Sequence, residues 1–219
     1  MALLGMTGCF DVHDAYPNPW VIDDFEDGDF QPADRNFGPW SCATFSPPNQ
    51  DCAFGLDPGD QTTSSLFLQF TTVDPPDGIL QSGGALLQTS AAIPEDLSRF
   101  DHMLFSTKLG SGSPPLPSTT EMFVQLVCST VPAEDGTMPA PGDLYLAQIV
   151  PLMPPGSDWQ VFSLAMANFG PPTWAPLHPR GGPVACLERI DAVEFAINPN
   201  LPDGQSTAGR LDVDDIYFQ

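Results

Sequence analysis

Basic residues are scarce in this chain. Its 219 residues include 6 Lys and Arg against 28 Asp and Glu, which gives a formal net charge of -22. Because so acidic a surface repels phosphate backbones and anionic lipid headgroups, we expect neither nucleic-acid binding nor electrostatic docking to a membrane. Hydrophobic residues nevertheless make up 42% of the chain, too many for a disordered acidic tail. A chain of this length and composition can bury a core.

The usual signatures of catalysis and of membrane insertion are also missing. The sequence has no G-x-S-x-G, no H-E-x-x-H, no P-loop and no C-x-x-C pair. No apolar run approaches the ~20 residues that a transmembrane helix needs. Asp212 and Asp214 would face the same side of a strand, but an acid/base pair also needs a cleft. We therefore predict no catalytic residues, and keep a polysaccharide hydrolase or lyase as an alternative.

Five cysteines are present, an odd number that leaves one to be explained separately. Cys42 and Cys52 flank a Pro-rich segment and form the obvious local pair, which would leave Cys128 and Cys186 for a long-range bridge. Four cysteines allow three connectivities, and the sequence does not choose among them. Buried free thiols are the alternative interpretation.

The fifth cysteine, Cys9, ends the apolar stretch Leu3-Leu4-Gly5-Met6-Thr7-Gly8. This stretch resembles the lipobox of bacterial lipoproteins, in which the cysteine is lipidated after cleavage, although no basic segment precedes it and the apolar run is short. The resemblance implies an extracytoplasmic protein, either secreted or anchored to the bacterial cell envelope through a lipid on Cys9. The alternative is a poorly ordered N-terminal tail.

Short apolar runs separated by Pro, Gly, Asp and Ser clusters are typical of an all-β domain. We expect residues 1–19 to be a signal or lipobox remnant with a linker, and residues 20–219 to form one domain. The pattern predicts ten strands: Trp20–Phe25, Trp40–Phe45, Ser65–Val73, Ala85–Ala91, His102–Leu109, Glu121–Ser129, Leu144–Val150, Trp159–Ala165, Ile190–Ile197 and Leu211–Phe218.

Several strands are apolar at both parities, as in Met122–Val127 and Leu144–Val150. One face would pack against a second sheet while the other is partly covered, as in an antiparallel two-sheet β-sandwich of jelly-roll type with a shallow concave face. The longest loops span about residues 130–143 and 168–185. Long loops in compact domains often carry function.

Acidic residues concentrate at the two ends of this domain. Eight acids lie between Asp11 and Asp34, and the last predicted strand contains Asp212, Asp214 and Asp215. If the chain ends pair as neighbouring strands, the two clusters repel each other. A hard divalent cation such as Ca²⁺, which prefers six to eight oxygen ligands, would remove the repulsion. The alternative is a solvated acidic edge that deters aggregation.

The same end segments carry a family resemblance that covers about residues 20–219. The chain resembles galactose-binding-like jelly-roll carbohydrate-binding modules, in particular family-11 modules and the complex I intermediate-associated protein domains. Five features carry the resemblance, in chain order: Asp24-Phe25-Glu26, Trp159–Leu164, Phe169 with Trp174, Ile190–Phe195 and Val213–Ile216.

The resemblance implies a non-catalytic polysaccharide-binding domain with a structural Ca²⁺. Carried over, the ion's ligands would be Glu26 and Asp214, with Asp24 and Asp215 as less certain neighbours. The Pro-rich loops and the cysteines of residues 42–52 depart from the family, so a glucan ligand does not follow from the resemblance. A cell-surface adhesion or assembly module that binds a protein is the other functional alternative.

Sugar binding requires aromatic faces for the apolar side of a pyranose, together with amides or carboxylates for its hydroxyls. Trp174 lies in a predicted loop and is the best aromatic candidate, although it could instead cover the core. Tyr145 is the second candidate, against an ordinary tyrosine at the edge of the core. Gln69, Gln125 and Gln148 lie amid apolar strand residues and suggest one partly wet polar face, either a glycan groove or an internal network.

Overall fold

The computed structural model describes residues 19–45, 51–59, 64–73, 84–110, 116, 120–150, 158–175, 177–199 and 206–219. Within these ranges the protein is nearly all β. Eleven strands alternate with loops, in the order β1 (Trp20–Asp23), β2 (Ser41–Phe45), β3 (Asp51–Asp57), β4 (Ser65–Val73), β5 (Gly84–Glu95), β6 (His102–Gly110), β7 (Glu121–Val127), β8 (Tyr145–Val150), β9 (Gln160–Ala165), β10 (Ile190–Asn198) and β11 (Ser206–Phe218).

The strands form two antiparallel sheets that pack as a jelly-roll β-sandwich. The first sheet has the order β3-β4-β11-β6-β9, and β1 pairs with the C-terminal part of β11. The second sheet has the order β2-β5-β10-β7-β8. The predicted all-β jelly-roll class is therefore confirmed.

Helical structure in the described residues is limited to two short segments. A 3-10 turn spans Met166–Asn168, and the helix α1 spans Gly182–Leu187. The helices found there lack the length and the apolar character that crossing a bilayer would require.

The core lies between the sheets and follows from strand alternation. In β10, Val193, Phe195 and Ile197 are fully buried and face the first sheet, so the residues between them face the opposite side. Phe195 meets Phe105 of β6 edge to face, with ring centroids 5.1 Å apart. Trp40, just before β2, is also buried, and its indole N–H donates a hydrogen bond to Asp23 (2.8 Å). Alternating large side chains thus join the sheets.

Both predicted disulfides are present, and each joins elements that the backbone hydrogen bonds leave separate. Cys42 lies in β2 and Cys52 in β3, the edge strands of different sheets, so their bond crosslinks the sandwich along one side. Cys128, just after β7, is bonded to Cys186 in α1. The connectivity is the one that local pairing favoured.

The ten predicted strands all exist, with ends that differ by up to five residues, and one strand was missed. Sequence analysis treated the segment around residues 46–51 as a loop, whereas a strand begins at Asp51. This strand, Asp51–Asp57, contains Asp, Ala and Gly, which are uncommon in strands, and its pairing with β4 overrides that preference. Cys9 and the lipobox-like stretch lie outside the described residues.

Candidate functional site

A groove of about 580 Å³ lies on the outer face of the second sheet. Three of its strands, β5, β10 and β7, supply the floor, while Tyr145 of β8 and two loops supply the sides. Eleven residues line it: Leu86, Glu121, Phe123, Gln125, Pro141, Gly142, Asp143, Tyr145, Trp174, Glu194 and Asn198. Its size lies within the range of small-molecule and oligosaccharide sites.

The strand register explains why polar side chains meet on this face. Glu194 of β10 pairs directly with Gln125 of β7 on one side and with Gln88 of β5 on the other. Paired residues in antiparallel strands point to the same face, with Cβ atoms about 5 Å apart. Because Val193 and Phe195 fill the core, this polar row points away from it, into the groove.

Trp174 forms one side of the groove, and its ring is held in place by two contacts. Its indole N–H donates a hydrogen bond to the hydroxyl of Tyr145, and its ring meets that of Phe123 edge to face, with centroids 5.2 Å apart. The loop carrying it is fixed to the edge strand β8, since the N–H of Ala147 donates to the carbonyl of Gly170 (2.9 Å). With 51% of its surface exposed, Trp174 is a fixed aromatic side chain open to solvent.

The opposite loop, which contributes Pro141, Gly142 and Asp143, is held by the end of β7. The N–H of Gly142 donates to the hydroxyl of Ser129 (3.0 Å), and the N–H of Cys128 donates to the carbonyl of Leu144 (2.9 Å). The Cys128–Cys186 disulfide connects the base of this loop to α1. Both of the long loops noted in the sequence thus border the groove.

Glu194 places a carboxyl group with a shifted pKa in the groove floor. Burial, and to a lesser extent the nearby carboxylate of Asp191, raises the pKa of Glu194 to about 7. Burial also raises the pKa of Tyr145, partly offset by the hydrogen bond from Trp174 and reinforced by the charge of Glu194. Near neutral pH, Glu194 therefore exchanges between an acid that donates a hydrogen bond and a carboxylate that accepts one.

The structure brings together three of the five residues proposed for sugar binding. Trp174, Tyr145 and Gln125 all line the groove. Gln148 does not line the groove. It pairs with the buried Val124, and it lies on the same face of β8 as the buried Leu146 and Val150, which points into the core. Gln69 lies on the exposed outer face of the first sheet, opposite Arg210. The expectation that the three glutamines share one polar face was wrong, since alternation within a strand does not say which sheet the strand joins.

Sequence reasoning missed several groove residues, among them Glu121, Phe123, Asp143, Glu194 and Asn198. Of these, Glu194 had a usable signal. It alternates with Val193 and Phe195, so an acid in that position predicts a wet outer face on an otherwise apolar strand. The others depend on which strands become neighbours, and that information is not in any one segment.

The two acidic end segments meet, which is the condition on which the calcium hypothesis depended. β1 pairs with the end of β11, which places Asp23 opposite Ile216. Phe25 (φ 56°) and Asp215 (φ 53°) both adopt the left-handed region, which is unusual for residues other than glycine. Burial, followed by the charge of Asp215, raises the pKa of Tyr217, whose hydroxyl donates to Asp215 (2.8 Å).

The candidate calcium ligands are carboxylates, the type of ligand that Ca²⁺ prefers, but too few of them lie close together to coordinate the ion alone. The carboxylates accept backbone hydrogen bonds: Asp24 from the N–H of Glu26 (3.3 Å), Asp214 from the N–H of Asp215 (2.9 Å) and, across the fold, Glu26 from the N–H of Ser64 (3.2 Å). Within the described ranges, no three His, Cys, Asp or Glu side chains lie close enough together to hold a metal. A Ca²⁺ here would need backbone carbonyls for its other ligands.

Comparison with known proteins gives a fold and no sequence family. No protein-family profile and no curated protein matches this sequence. Among solved structures, the chain is similar to the family-11 carbohydrate-binding module of the cellulosomal cellulase Lic26A-Cel5E of Clostridium thermocellum, with 16% identity, a TM-score of 0.52, and coverage of 92% of this chain and 94% of the other.

A second similar structure is a family-11 module from Clostridium thermocellum in complex with a β-1,3-1,4-mixed-linked tetrasaccharide. It has 16% identity and a TM-score of 0.54, and the match covers 91% of this chain and 94% of the other. The matches span nearly the whole of both chains, while the identity is too low to transfer a ligand. The protein thus has the fold of the jelly-roll carbohydrate-binding modules.

Proposed function

We propose that this protein is a non-catalytic polysaccharide-binding domain and that its ligand lies in the groove on the second sheet. The observation that carries the proposal is the fixed, half-exposed ring of Trp174 beside a floor of polar side chains. Exposing an indole ring to water is unfavourable, and stacking of the apolar C–H face of a pyranose ring would cover it. Two contacts hold the ring, so little conformational entropy is lost when a sugar stacks on it.

The polar lining supports the same ligand class. Gln125, Asn198 and Glu194 offer amide and carboxyl groups that can pair with the hydroxyls on the edge of a sugar ring. The fold agrees, since one family-11 module with this fold was solved in complex with a mixed-linked tetrasaccharide. An open groove suits an internal stretch of a polysaccharide better than a small molecule that must be enclosed.

The spacing of Glu121 and Glu194 argues against these two glutamates acting as a hydrolytic pair. Glu121 is four residues along β7 from Gln125, the direct partner of Glu194. At about 3.3 Å per residue this separates the two glutamates by roughly 13 Å. Glycosidase carboxylates lie about 5 to 9.5 Å apart, so this pair is too widely spaced.

The first test compares Trp174→Ala with Phe30→Ala in affinity electrophoresis. Phe30 is an exposed aromatic residue outside the groove, packed edge to face on Phe54, and is the matched control. With a panel of soluble mixed-linkage glucan, mannan, xylan and glucosamine polymers, we expect at least one to retard the wild-type protein and Phe30→Ala. Trp174→Ala should migrate freely. If no polymer retards the wild type, or Trp174→Ala is retarded equally, the groove proposal is wrong.

Calcium at the meeting point of the chain ends is the second part of the proposal. The pairing of β1 with β11 and the complete burial of Asp214 support it, with Glu26, Asp24 and Asp215 as the other candidate ligands. Bound there, the ion would neutralise the acidic residues that the pairing brings together. EDTA should then lower the melting temperature, and Ca²⁺ but not Na⁺ should restore it. An unchanged melting temperature would remove the ion from the account.

We propose that the protein acts outside the cytoplasm, and its two disulfides support this location. Two disulfides are typical of proteins outside the cytoplasm. We also propose a lipid on Cys9, supported by the apolar stretch before it. When the gene is expressed in bacteria, the wild type should partition into the detergent phase of Triton X-114 and Cys9→Ser into the aqueous phase. Aqueous partitioning of both would exclude the anchor and leave a secreted protein.

A further inference from the structure

Glu194 is a largely buried side chain to which the described residues supply no hydrogen-bond partner. Its side chain is 8% exposed and lines the groove floor. No described residue forms a side-chain hydrogen bond or an ion pair with Glu194. Gln88 and Gln125 are its directly paired neighbours on the adjacent strands. Buried charged groups are normally paired, because leaving one unpaired is costly. An unpaired one that points into a ligand groove indicates a partner on the ligand.

The groups around Glu194 indicate that the ligand group it meets is a hydrogen-bond donor, preferably one with a positive charge. Glu121 and Asp143 also line the groove, and no Lys, Arg or His is among the described residues that do so. The charged group that acts on Glu194 is another carboxylate, Asp191, which raises its pKa further. Together with the net charge of -22, these residues give the groove a negative potential.

We propose that the groove selects polysaccharides that carry protonated amino groups, with Glu194 receiving an ammonium group of a glucosamine unit. The inference rests on the proposed function, and it adds the charge class of the sugar. A hydroxyl could also donate to Glu194, but it would leave the buried negative charge uncompensated. An ammonium group supplies both the donor and the charge, and such charge-assisted hydrogen bonds are about twice as strong as neutral ones.

The test uses three β-1,4-linked hexasaccharides that differ only at carbon 2: cellohexaose with hydroxyls, the glucosamine oligomer with amines, and the N-acetylglucosamine oligomer with acetamides. Binding is measured by isothermal titration calorimetry at about pH 6.5, close to the pKa of Glu194, which is about 7. The variants are Glu194→Gln, which keeps the shape, and Glu188→Gln, which removes an exposed charge outside the groove. Circular dichroism checks that each variant is folded.

For the wild type and Glu188→Gln we expect the glucosamine oligomer to bind about tenfold more tightly than cellohexaose or the acetylated oligomer. In Glu194→Gln the preference should fall to about twofold or less, while Trp174→Ala should weaken every oligomer that binds. Added salt should reduce the preference without abolishing cellohexaose binding.

Three results would overturn the inference, and they differ in what else they affect. Equal or tighter binding of cellohexaose excludes an amino-sugar preference while the groove remains a glycan site. A glucosamine preference that survives in Glu194→Gln shows general attraction of a polycation to an acidic protein. If no oligosaccharide binds and no polymer of the electrophoresis panel retards the protein, the proposed function fails together with this inference.

Discussion

Replacing Glu194 by glutamine should make the protein more stable at alkaline pH, and the expected gain can be worked out from the structure. The pKa of Glu194 is raised from 4.5 to about 7 because the side chain is buried beside Asp191. Below pH 4.5 the carboxyl is protonated in both the folded and the unfolded chain, and folding is unaffected. Between the two values the unfolded chain ionises while the folded one keeps its proton. Stability therefore falls as pH rises, by about 1.4 kcal/mol per pH unit.

Over the whole interval, the wild type should lose about 3 kcal/mol of unfolding free energy through this group, and the loss should level off above pH 7. Glutamine has nearly the same shape and no charge at any pH. Glu194→Gln should match the wild type near pH 4.5, apart from a constant offset for the buried amide. At pH 8 the unfolding free energy of the variant, after subtraction of that offset, should be about 3 kcal/mol higher than that of the wild type.

The assay is urea unfolding at several pH values between 4.5 and 8, analysed as the difference between variant and wild type so that other titrating groups cancel. Glu188→Gln, which replaces an exposed glutamate outside the groove, is the control, and its difference from the wild type should be small. A flat difference for Glu194→Gln, or one that declines with pH, would refute the conclusion that Glu194 is buried without a partner. A gain in stability combined with weaker sugar binding would be typical of a ligand-binding residue.

Three further predictions concern a disulfide near the groove, a buried glutamine and a tyrosine of the groove. Replacing both Cys128 and Cys186 by serine should cost about 4 kcal/mol, the value expected for a 58-residue loop, and should weaken glycan binding; unchanged urea midpoints would contradict it. Gln148→Leu should stabilise the protein by about 1 to 2 kcal/mol without changing glycan affinity, because the buried Oε1 has no partner; destabilisation would show that it is satisfied. Tyr145→Phe removes the acceptor for Trp174 and should weaken binding about threefold to tenfold with little loss of stability; unaltered affinity would show that Phe123 alone positions the ring.

The sandwich was predictable because its strands carry their own signals. Alternation and turn residues gave ten of the eleven strands, and β1 and β11 do pair, which is the condition that the calcium hypothesis required. The strand Asp51–Asp57 was missed because Asp, Ala and Gly have low strand preference, and pairing with β4 and the disulfide at Cys52 hold it in the sheet. Local patterns report the elements, whereas tertiary pairing can create one without such a pattern.

The groove was predictable only in part, since it depends on which strands become neighbours. Trp174 was identified from its loop and Tyr145 from its place in a strand, and both line the groove. Gln148 and Gln69 looked equivalent to Gln125 in sequence, yet one faces inward and the other lies on the opposite sheet. A one-residue change of register reverses the face on which a side chain lies, so similar residues in different strands need not share a surface.

The most direct test of the glycan-binding groove follows the indole signal of Trp174 by nuclear magnetic resonance. The chain has four tryptophans, and the signal of Trp174 in a nitrogen-15 spectrum is identified by its loss in Trp174→Ala. On titration with an oligosaccharide that binds, this signal and the backbone amide signals of Gln125, Tyr145 and Glu194 should shift together, while the indole signal of the buried Trp40 stays in place. A bound sugar that leaves the Trp174 signal unmoved and shifts residues elsewhere would contradict the account.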